Sequence, residues 1–258
     1  MLKLSIVIPA RNEEGSIRQT LGRVIALLER AGIPHEILVV DDGSTDKTDL
    51  EVQYFSSQNS SVKLLHNQGR NGFGTAVRTG LDQFTGDAVA IVMADGSDDP
   101  EDLVPYYRKL DEGYDCVFGS RFCRGAKIVD YPAHKLVINR LANWFIEVLF
   151  RIRYNDVTNA FKCYRRSVIE GIQPLISPHF NLTVEMPLKA IVRGYKYAVV
   201  PISWTNRTTG ISKLKLKEMG SRYLFIVLYL WLEKYLSRGD YRRRSEGVPE
   251  AGTESRHV

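Results

Sequence analysis

The sequence predicts an α/β fold, a mostly parallel sheet flanked by helices, and three observations carry that expectation. Apolar runs of three to six residues recur at Leu4–Ile8, Ile37–Val40, Val62–Leu65, Ala88–Met93 and Cys116–Phe118. Longer segments with helical periodicity separate the first four, as expected of parallel strands joined by crossover helices. Two of the runs end in carboxylates, Asp41-Asp42 and Asp95 with Asp98 and Asp99. Both groups then fall beyond the carboxyl ends of strands, where ligands bind in such sheets.

Taken in order, Leu4–Ile8 reads as a strand that passes directly into Arg11, Glu13 and Glu14. Its apolar run is too short for a secretion signal. The first helix opens at Gly15-Ser16, carries Ile17, Leu21, Val24, Ile25 and Leu28 as one stripe, and ends at Gly32 and Pro34. The strand Glu36–Val40 leads to Gly43-Ser44-Thr45-Asp46, a turn in which Ser44 or Asp46 caps the next helix. Asn71-Gly72-Phe73-Gly74-Thr75-Ala76 lacks the third glycine of a dinucleotide-binding turn and reads instead as a helix that starts close against a ligand or strand. Asp98-Asp99-Pro100-Glu101-Asp102 has the form of an acidic helix start.

Further on, a helix near Lys135–Phe150 carries Val137, Ile138, Leu141, Trp144, Phe145, Val148 and Leu149 as a stripe that could face the core, an acceptor or a membrane. A helix around Leu182–Arg193 and a strand near Tyr197–Pro201 precede a loop from Trp204 to Lys213. A last helix is expected from Leu214 to about Leu236, followed by a charged, disordered tail at Arg238–Val258. The expected organisation is one catalytic domain (1–213), an amphipathic interfacial helix (214–237) and a tail (238–258).

With 258 residues and 44% hydrophobic content, the chain can bury one large core. Three cysteines without metal-ligand spacing argue against a zinc site or a disulfide framework and for reduced thiols in the cytoplasm. The longest apolar run, the ten residues Tyr223–Leu232, falls short of the roughly 20 needed to span a bilayer. Between Arg207 and Arg244 there are ten Lys/Arg against Glu218, Glu233 and Asp240, whereas residues 1–206 carry no net charge. Because these cations alternate with an apolar, aromatic helix, they suit an anionic membrane surface better than nucleic acid.

The acidic strand ends carry the chemistry. Mg²⁺ or Mn²⁺ takes one or two carboxylates plus substrate phosphates, so Asp95, where the chain leaves its strand, is a candidate ligand. Asp98 is either a second ligand or part of the helix start, and Asp99 reads as the cap. Asp41 is placed to accept a hydrogen bond from a nucleobase or ribose, since a carboxylate only accepts.

Six motifs then stand in register: Pro9-Ala-Arg-Asn-Glu13; Val39-Val-Asp-Asp-Gly-Ser-Thr-Asp46; Asn71-Gly-Phe-Gly-Thr-Ala76; Met93-Ala-Asp95 with Pro100-Glu101; Gly119-Ser-Arg121; and Arg207 followed by Gly210-Ile-Ser-Lys213. In this order the chain resembles family-2 glycosyltransferases, in particular their dolichol-phosphate mannose synthase branch, over residues 3 to about 235. The resemblance implies a GT-A fold, a nucleotide-diphosphate sugar donor, Mg²⁺ or Mn²⁺, and a polyprenyl-phosphate acceptor met at the cytoplasmic face of a membrane by a peripheral protein. It implies a nucleotide-sugar site built from Pro9, Ala10, Arg11, Glu13, Val40, Asp41, Gly72, Gly74, Ala94, Asp95 and Gly96. Asp95 would hold the metal, with Asp98 as a substitute ligand.

Arg121, Arg207 and Lys213 would meet phosphate oxygens of donor or acceptor. Lys135 and Asn139, with Arg207, would meet the acceptor phosphate. The chain departs from the family at Met93, which occupies the first position of the Asp-X-Asp motif, at Ser97 and Asp98, where Gln or Ser and then His are usual, and at Asn139, which replaces a Ser.

The implied reaction is an inverting transfer of a hexose or N-acetylhexosamine to dolichyl or undecaprenyl phosphate. An anionic phosphate nucleophile needs no strong general base, and Glu185 could either position a sugar hydroxyl or serve the structure. Two other readings stay open: a glycosyltransferase acting on a soluble or glycan acceptor, and a non-catalytic nucleotide or lipid binder. A nucleotidyltransferase would want a glycine-rich basic phosphate loop, which Pro9–Gly15 is not. No sequence feature decides whether the chain forms an oligomer.

Overall fold

Strand β1 (Leu4–Ala10) is buried along its whole length, as a Val/Ile-rich strand covered on both faces must be. Its side chains alternate between two cores. Ile6 and Ile8 pack with Ile17, Leu21, Val24 and Leu28 of helix α1 (Ile17–Arg30). Val7 faces the other way, toward Ala76, Val77 and Leu81 of α3 (Phe73–Gln83). Burial of each α1 side chain contributes about 1.5–3 kcal/mol. That outweighs the roughly 1 kcal/mol of a side-chain cap, which Ser16 does not provide.

The computed structural model describes residues 1–206 and 216–243. After α1 come β2 (His35–Asp41), α2 (Thr48–Gln58), β3 (Val62–His66), α3, β4 (Ala88–Ile91), α4 (Leu103–Asp111) and β5 (Cys116–Ser120). The second half adds β6 (Lys127–Val129), α5 (Ala133–Phe150), β7 (Lys162–Arg165), α6 (Arg166–Gly171), α7 (Leu182–Val192), β8 (Tyr197–Pro201), β9 (Ser203–Thr205) and α8 (Leu216–Leu236). The main sheet runs β3-β2-β1-β4-β7-β5-β8. It is parallel except at β7, which is antiparallel to both β4 and β5. A separate parallel pair, β6 and β9, lies in register Lys127 to Ser203 through Val129 to Thr205.

Three features differ from expectation. β4 stops at Ile91, before Met93, because Val92 makes the last ladder bond to Val7 (3.0 Å) and the chain then turns, with Asp95 accepting the Ser97 N–H and Gly96 at φ +69°. α8 is not simply appended: Ile226, Val227 and Leu230 are buried in the same core as Leu188 of α7. Its end is fastened by a buried pair in which Arg193 donates from Nε and Nη2 to Glu233 at 2.9 and 3.2 Å. The first residues expected in the tail return to the domain, where Arg243 donates from its backbone to Arg193 O and from its guanidinium to Asp115, both at 2.8 Å. Residues 244–258 lie outside the described residues.

Candidate active site

The loops at the carboxyl ends of β1 and β2 are laced together before any ligand is considered. Asn12 and Glu13 donate their N–H groups to the hydroxyls of Ser44 (3.0 Å) and Thr48 (2.8 Å), and the Asn12 side chain accepts from Thr45 N–H at 2.7 Å. Asp46 accepts from the Thr48 N–H and hydroxyl at the head of α2, one residue before the cap position, which Lys47 occupies in place of the expected Ser44 or Asp46.

The Asp pair at the end of β2 divides in two. Asp41 turns onto its own loop and accepts from the N–H groups of Gly43 and Ser44. Asp42 instead reaches the start of α3, accepting the Gly72 N–H at 2.8 and 3.0 Å and the Asn67 amide at 2.6 Å.

Against that same start presses the 177–180 segment. Gly74 and Thr75 both donate to Pro178 O. A Cβ on Gly72 would lie 2.3 Å from Pro178 O and one on Gly74 2.3 Å from Ser177 O, so only glycine admits the crossing. The segment is held from below by Glu185, wholly buried, which accepts the N–H groups of Ile176 (2.9 Å) and Ser177 (2.8 Å) and an Nζ–H of Lys189 (2.8 Å). Both Glu185 oxygens are therefore committed to shaping a wall, the structural one of its two readings.

Two cavities result, sharing Glu13, Met93 and Phe180. The smaller, about 300 Å³, is lined by Pro9, Ala10, Arg11, Asp42, Gly72 and Phe73 among others. Its roof is a stacked pair, Phe73 and Phe180, with ring centroids 4.4 Å apart. The larger, about 440 Å³, brings together Asp95, Ser97, Asp98, Arg121, Tyr131, Lys135, Thr158, Asn159, Trp204 and Asn206.

Of the expected nucleotide residues, Pro9, Ala10, Arg11, Glu13, Gly72 and Asp95 line this bilobed cleft. Val40, Asp41, Gly74, Ala94 and Gly96 line neither lobe. Val40 belongs to the core, Gly74 is packed on 177–178, and Ala94 is buried with its carbonyl accepting from the Thr20 hydroxyl. Asp41 and Gly96 serve their turns. Asn139 is likewise set back: it donates to the Thr158 hydroxyl at 3.0 Å and so places a residue that does line the cleft. Arg207 and Lys213 lie outside the described residues.

Arg121 lines the larger lobe, but one edge of its guanidinium is already taken. Its fork is taken by Asp156, with Nε to Oδ2 at 2.8 Å and Nη2 to Oδ1 at 2.7 Å, and the Asp156 carboxylate also accepts the Arg121 backbone N–H. Burial alone would lower the guanidinium pKa, but Asp156 raises it and keeps the charge. The same fork is thus not open to a phosphate. Nearby, Lys162 in β7 is buried with its Nζ donating to Val157 O and Thr183 O, and burial pulls its pKa down to about 7 against the opposing pull of Asp156.

The acidic residues fit a divalent cation. Asp98 is only 4% exposed and accepts the Met93 N–H at 3.3 Å. Burial, then the Asp95 charge, push its pKa up to about 7. A neighbouring carboxylate charge that opposes the ionisation of Asp98 is what a cation relieves. Among the described residues no group of three or more His, Cys, Asp or Glu is gathered as a metal centre. A cation here would therefore draw further ligands from substrate phosphate and water, the usual habit of Mg²⁺. Asp99 accepts the Glu101 N–H ahead of Pro100, as a cap does.

Asp42, Asp156, Phe180, Tyr131 and Trp204 were not singled out as site residues by sequence reasoning. Asp42 had a signal, since it is the second acid of a pair at a strand end. The others meet the site only through long-range contacts.

A model described as Glycosyl transferase family 2 matches residues 5–172. The polyprenol monophosphomannose synthase of Mycolicibacterium smegmatis is 32% identical over 215 residues, covering 81% of this chain and 80% of that protein. The undecaprenyl-phosphate mannosyltransferase of Micrococcus luteus is 30% identical, covering 83% and 88%. The dolichol-phosphate mannosyltransferase of Pyrococcus furiosus is also 30% identical, but the chain spans only 60% of its length. In fold, the chain is similar to the crystal structure of Mycobacterium tuberculosis glucosyl-3-phosphoglycerate synthase in complex with Mn²⁺, UDP and glucosyl-3-phosphoglycerate. The TM-score is 0.65 at 18% identity, over 90% of this chain and 80% of that one.

Proposed function

The chain belongs to glycosyl transferase family 2 and is a glycosyltransferase of GT-A fold, and from that premise we propose that it transfers a hexose from a nucleoside-diphosphate sugar to a polyprenyl phosphate. The observation that carries this reading is the bilobed cleft, with Asp95 and Asp98 in the larger lobe and Lys135 contributed by α5. The names of the three relatives support a polyprenyl-phosphate acceptor and, among hexoses, mannose.

In this reading the nucleoside lies in the smaller lobe against Pro9, Arg11 and Glu13, and the diphosphate reaches toward Asp95. Asp95 and Asp98 would hold a Mg²⁺ or Mn²⁺, which when bound supplies neutralising charge to the departing diphosphate. An acceptor phosphate oxygen forms the new bond to the anomeric carbon as the bond to the diphosphate breaks, with inversion. Because that oxygen is already anionic, the chain need only place it. Lys135, exposed on the rim, offers the positive charge for doing so.

The test is an incubation with GDP-mannose, Mg²⁺ or Mn²⁺ and undecaprenyl phosphate. Sugar is expected to become extractable into organic solvent, with one GDP released per transfer. Transfer to a water-soluble phosphate such as phosphoglycerate, with none to the lipid, would overturn the acceptor assignment.

The same proposal places the protein peripherally on the cytoplasmic face of a membrane. No helix among the described residues is long and apolar enough to cross one. α5 and α8 touch and leave large apolar side chains outward, including Leu141, Trp144 (61% exposed) and Val148 on α5 and Phe225 (62% exposed) and Leu228 on α8. The basic excess of residues 207–244 complements anionic headgroups. Removing α8 would open the core, so surface substitutions are the sharper probe. Trp144→Glu with Phe225→Glu should weaken binding to phosphatidylglycerol-containing vesicles by at least about tenfold, since each ring forfeits an apolar transfer, with an unchanged melting temperature. Undiminished vesicle binding would remove these helices from the interface.

A further inference from the structure

The larger lobe contains an aromatic pair to which the reading above gives no task. Tyr131, just ahead of α5, and Trp204, in the middle of β9, have ring centroids 4.8 Å apart at 47°. Both rings are half-buried and line the cleft. Arg121, which lines the same lobe, has its Cζ 5.6 Å from the Tyr131 centroid and 5.9 Å from that of Trp204. With its fork held by Asp156, that guanidinium is a fixed neighbour of both rings.

The backbone of Trp204 is held on both sides, and the Asp102 carboxylate also accepts the neighbouring Ser203 N–H at 2.7 Å. Its strand pairs with β6, and on its other side Asp98 and Trp204 form a bridge flanked by Asp99 N–H to Ser203 O (3.2 Å) and Thr205 N–H to Ser97 O (3.0 Å). The ring is thereby tied, rung by rung, to the turn that carries Asp95 and Asp98. A ligand group resting on it sits at a fixed offset from anything those carboxylates hold.

The surroundings decide what that group is. Thr158, Asn159 and Asn206 line the same lobe, so apolar faces stand beside amide and hydroxyl groups. The lobe is also lined by Asp95 and Lys135, and an isoprene chain would desolvate those charges without pairing them. A hexose suits apolar faces and polar groups alike, because one face of its ring presents C–H groups to aromatic π-clouds while its edge presents hydroxyls.

We propose that Tyr131 and Trp204 form the platform on which the transferred sugar's ring lies, and that Trp204 is a specificity-determining residue for the donor sugar. This rests on the glycosyl-transfer reading.

The experiment compares GDP-mannose with GDP, and UDP-glucose with UDP, by calorimetry with Mn²⁺ present, on the full chain and on Trp204→Leu and Trp204→Phe. In the wild type one sugar nucleotide should bind more tightly than its nucleotide and change tryptophan emission, whereas the nucleotide alone should not. Trp204→Leu should erase that increment, a loss of about fivefold for one aromatic contact, and should erase the emission change, with nucleotide affinity held within about twofold. Trp204→Phe should restore most of the affinity increment.

If Trp204→Leu keeps the increment, or instead raises only the KM for undecaprenyl phosphate, the platform is not a sugar site. If the wild type binds neither nucleotide nor nucleotide sugar, the underlying glycosyl-transfer reading fails. Should Trp204→Leu not fold, the wild-type emission signal and Trp204→Phe still decide the matter.

Discussion

Replacing Asp95 with Asn is expected to cut sugar transfer by at least about 100-fold, the scale on which removal of one charge-stabilising group acts, with the fold intact. The side chain is partly exposed in the larger lobe, and Oδ1 accepts the Ser97 N–H at 3.1 Å. Asparagine keeps that acceptor and the shape of the turn, and loses only the charge. Activity and stability should therefore separate: the melting temperature should stay within about 2 °C, less than the effect of a single kcal/mol in a domain of this size, while Mn²⁺-dependent transfer collapses. Met93 sharpens the expectation, because a thioether stands where the family places its other carboxylate and the remaining charge rests on Asp95 and Asp98. Near-wild-type, metal-dependent transfer by the variant would sink the metal assignment.

Much of the sheet was legible because central parallel strands must be apolar on both faces. β1, β2 and β8 stand within a residue or two of their expected limits. β7 was invisible for the same reason, since Lys-Cys-Tyr-Arg is no apolar run. Lys162, at its start, is tolerated because two carbonyls, Val157 O and Thr183 O, receive its ammonium group.

Within the site, residues adjoining a strand end could be found from the strand itself, as with Pro9, Arg11 and Asp95. Residues that arrive by long-range contact could not. Asp42 acts on Gly72 and Asp156 on Arg121, and nothing near either in the chain announces its partner. Glu185 shows the limit from the other side. A glutamate in a helix's first turn is ordinarily solvated, yet Lys189 four residues on, within an otherwise buried helix, was the sign that this one is paired inside.

Asp156→Ala should be the most destabilising single change near the cleft. Arg121 is 8% exposed and Asp156 is fully buried, so truncation leaves a charged guanidinium in the interior with two of its donor bonds unmet, and the Arg121 backbone N–H loses its acceptor as well. Orphaning one member of a buried pair costs about 3–5 kcal/mol. At about 2–4 °C per kcal/mol for a domain of this size, the melting temperature should fall by roughly 6–20 °C. Lys162 worsens the case, because Asp156 is also the carboxylate that opposes the effect of burial on its ammonium group. A double change, Arg121→Leu with Asp156→Leu, should recover much of the loss, since well-packed apolar residues often replace a buried ion pair without penalty. A fall of less than about 2 °C in the single variant, or no recovery in the double, would show that the pair is solvated. If the recovered double variant is folded yet inactive, stability is not the reason for the pair. Its use is then to hold a permanent positive charge, correctly oriented, in the wall of the lobe in which the proposed transfer takes place.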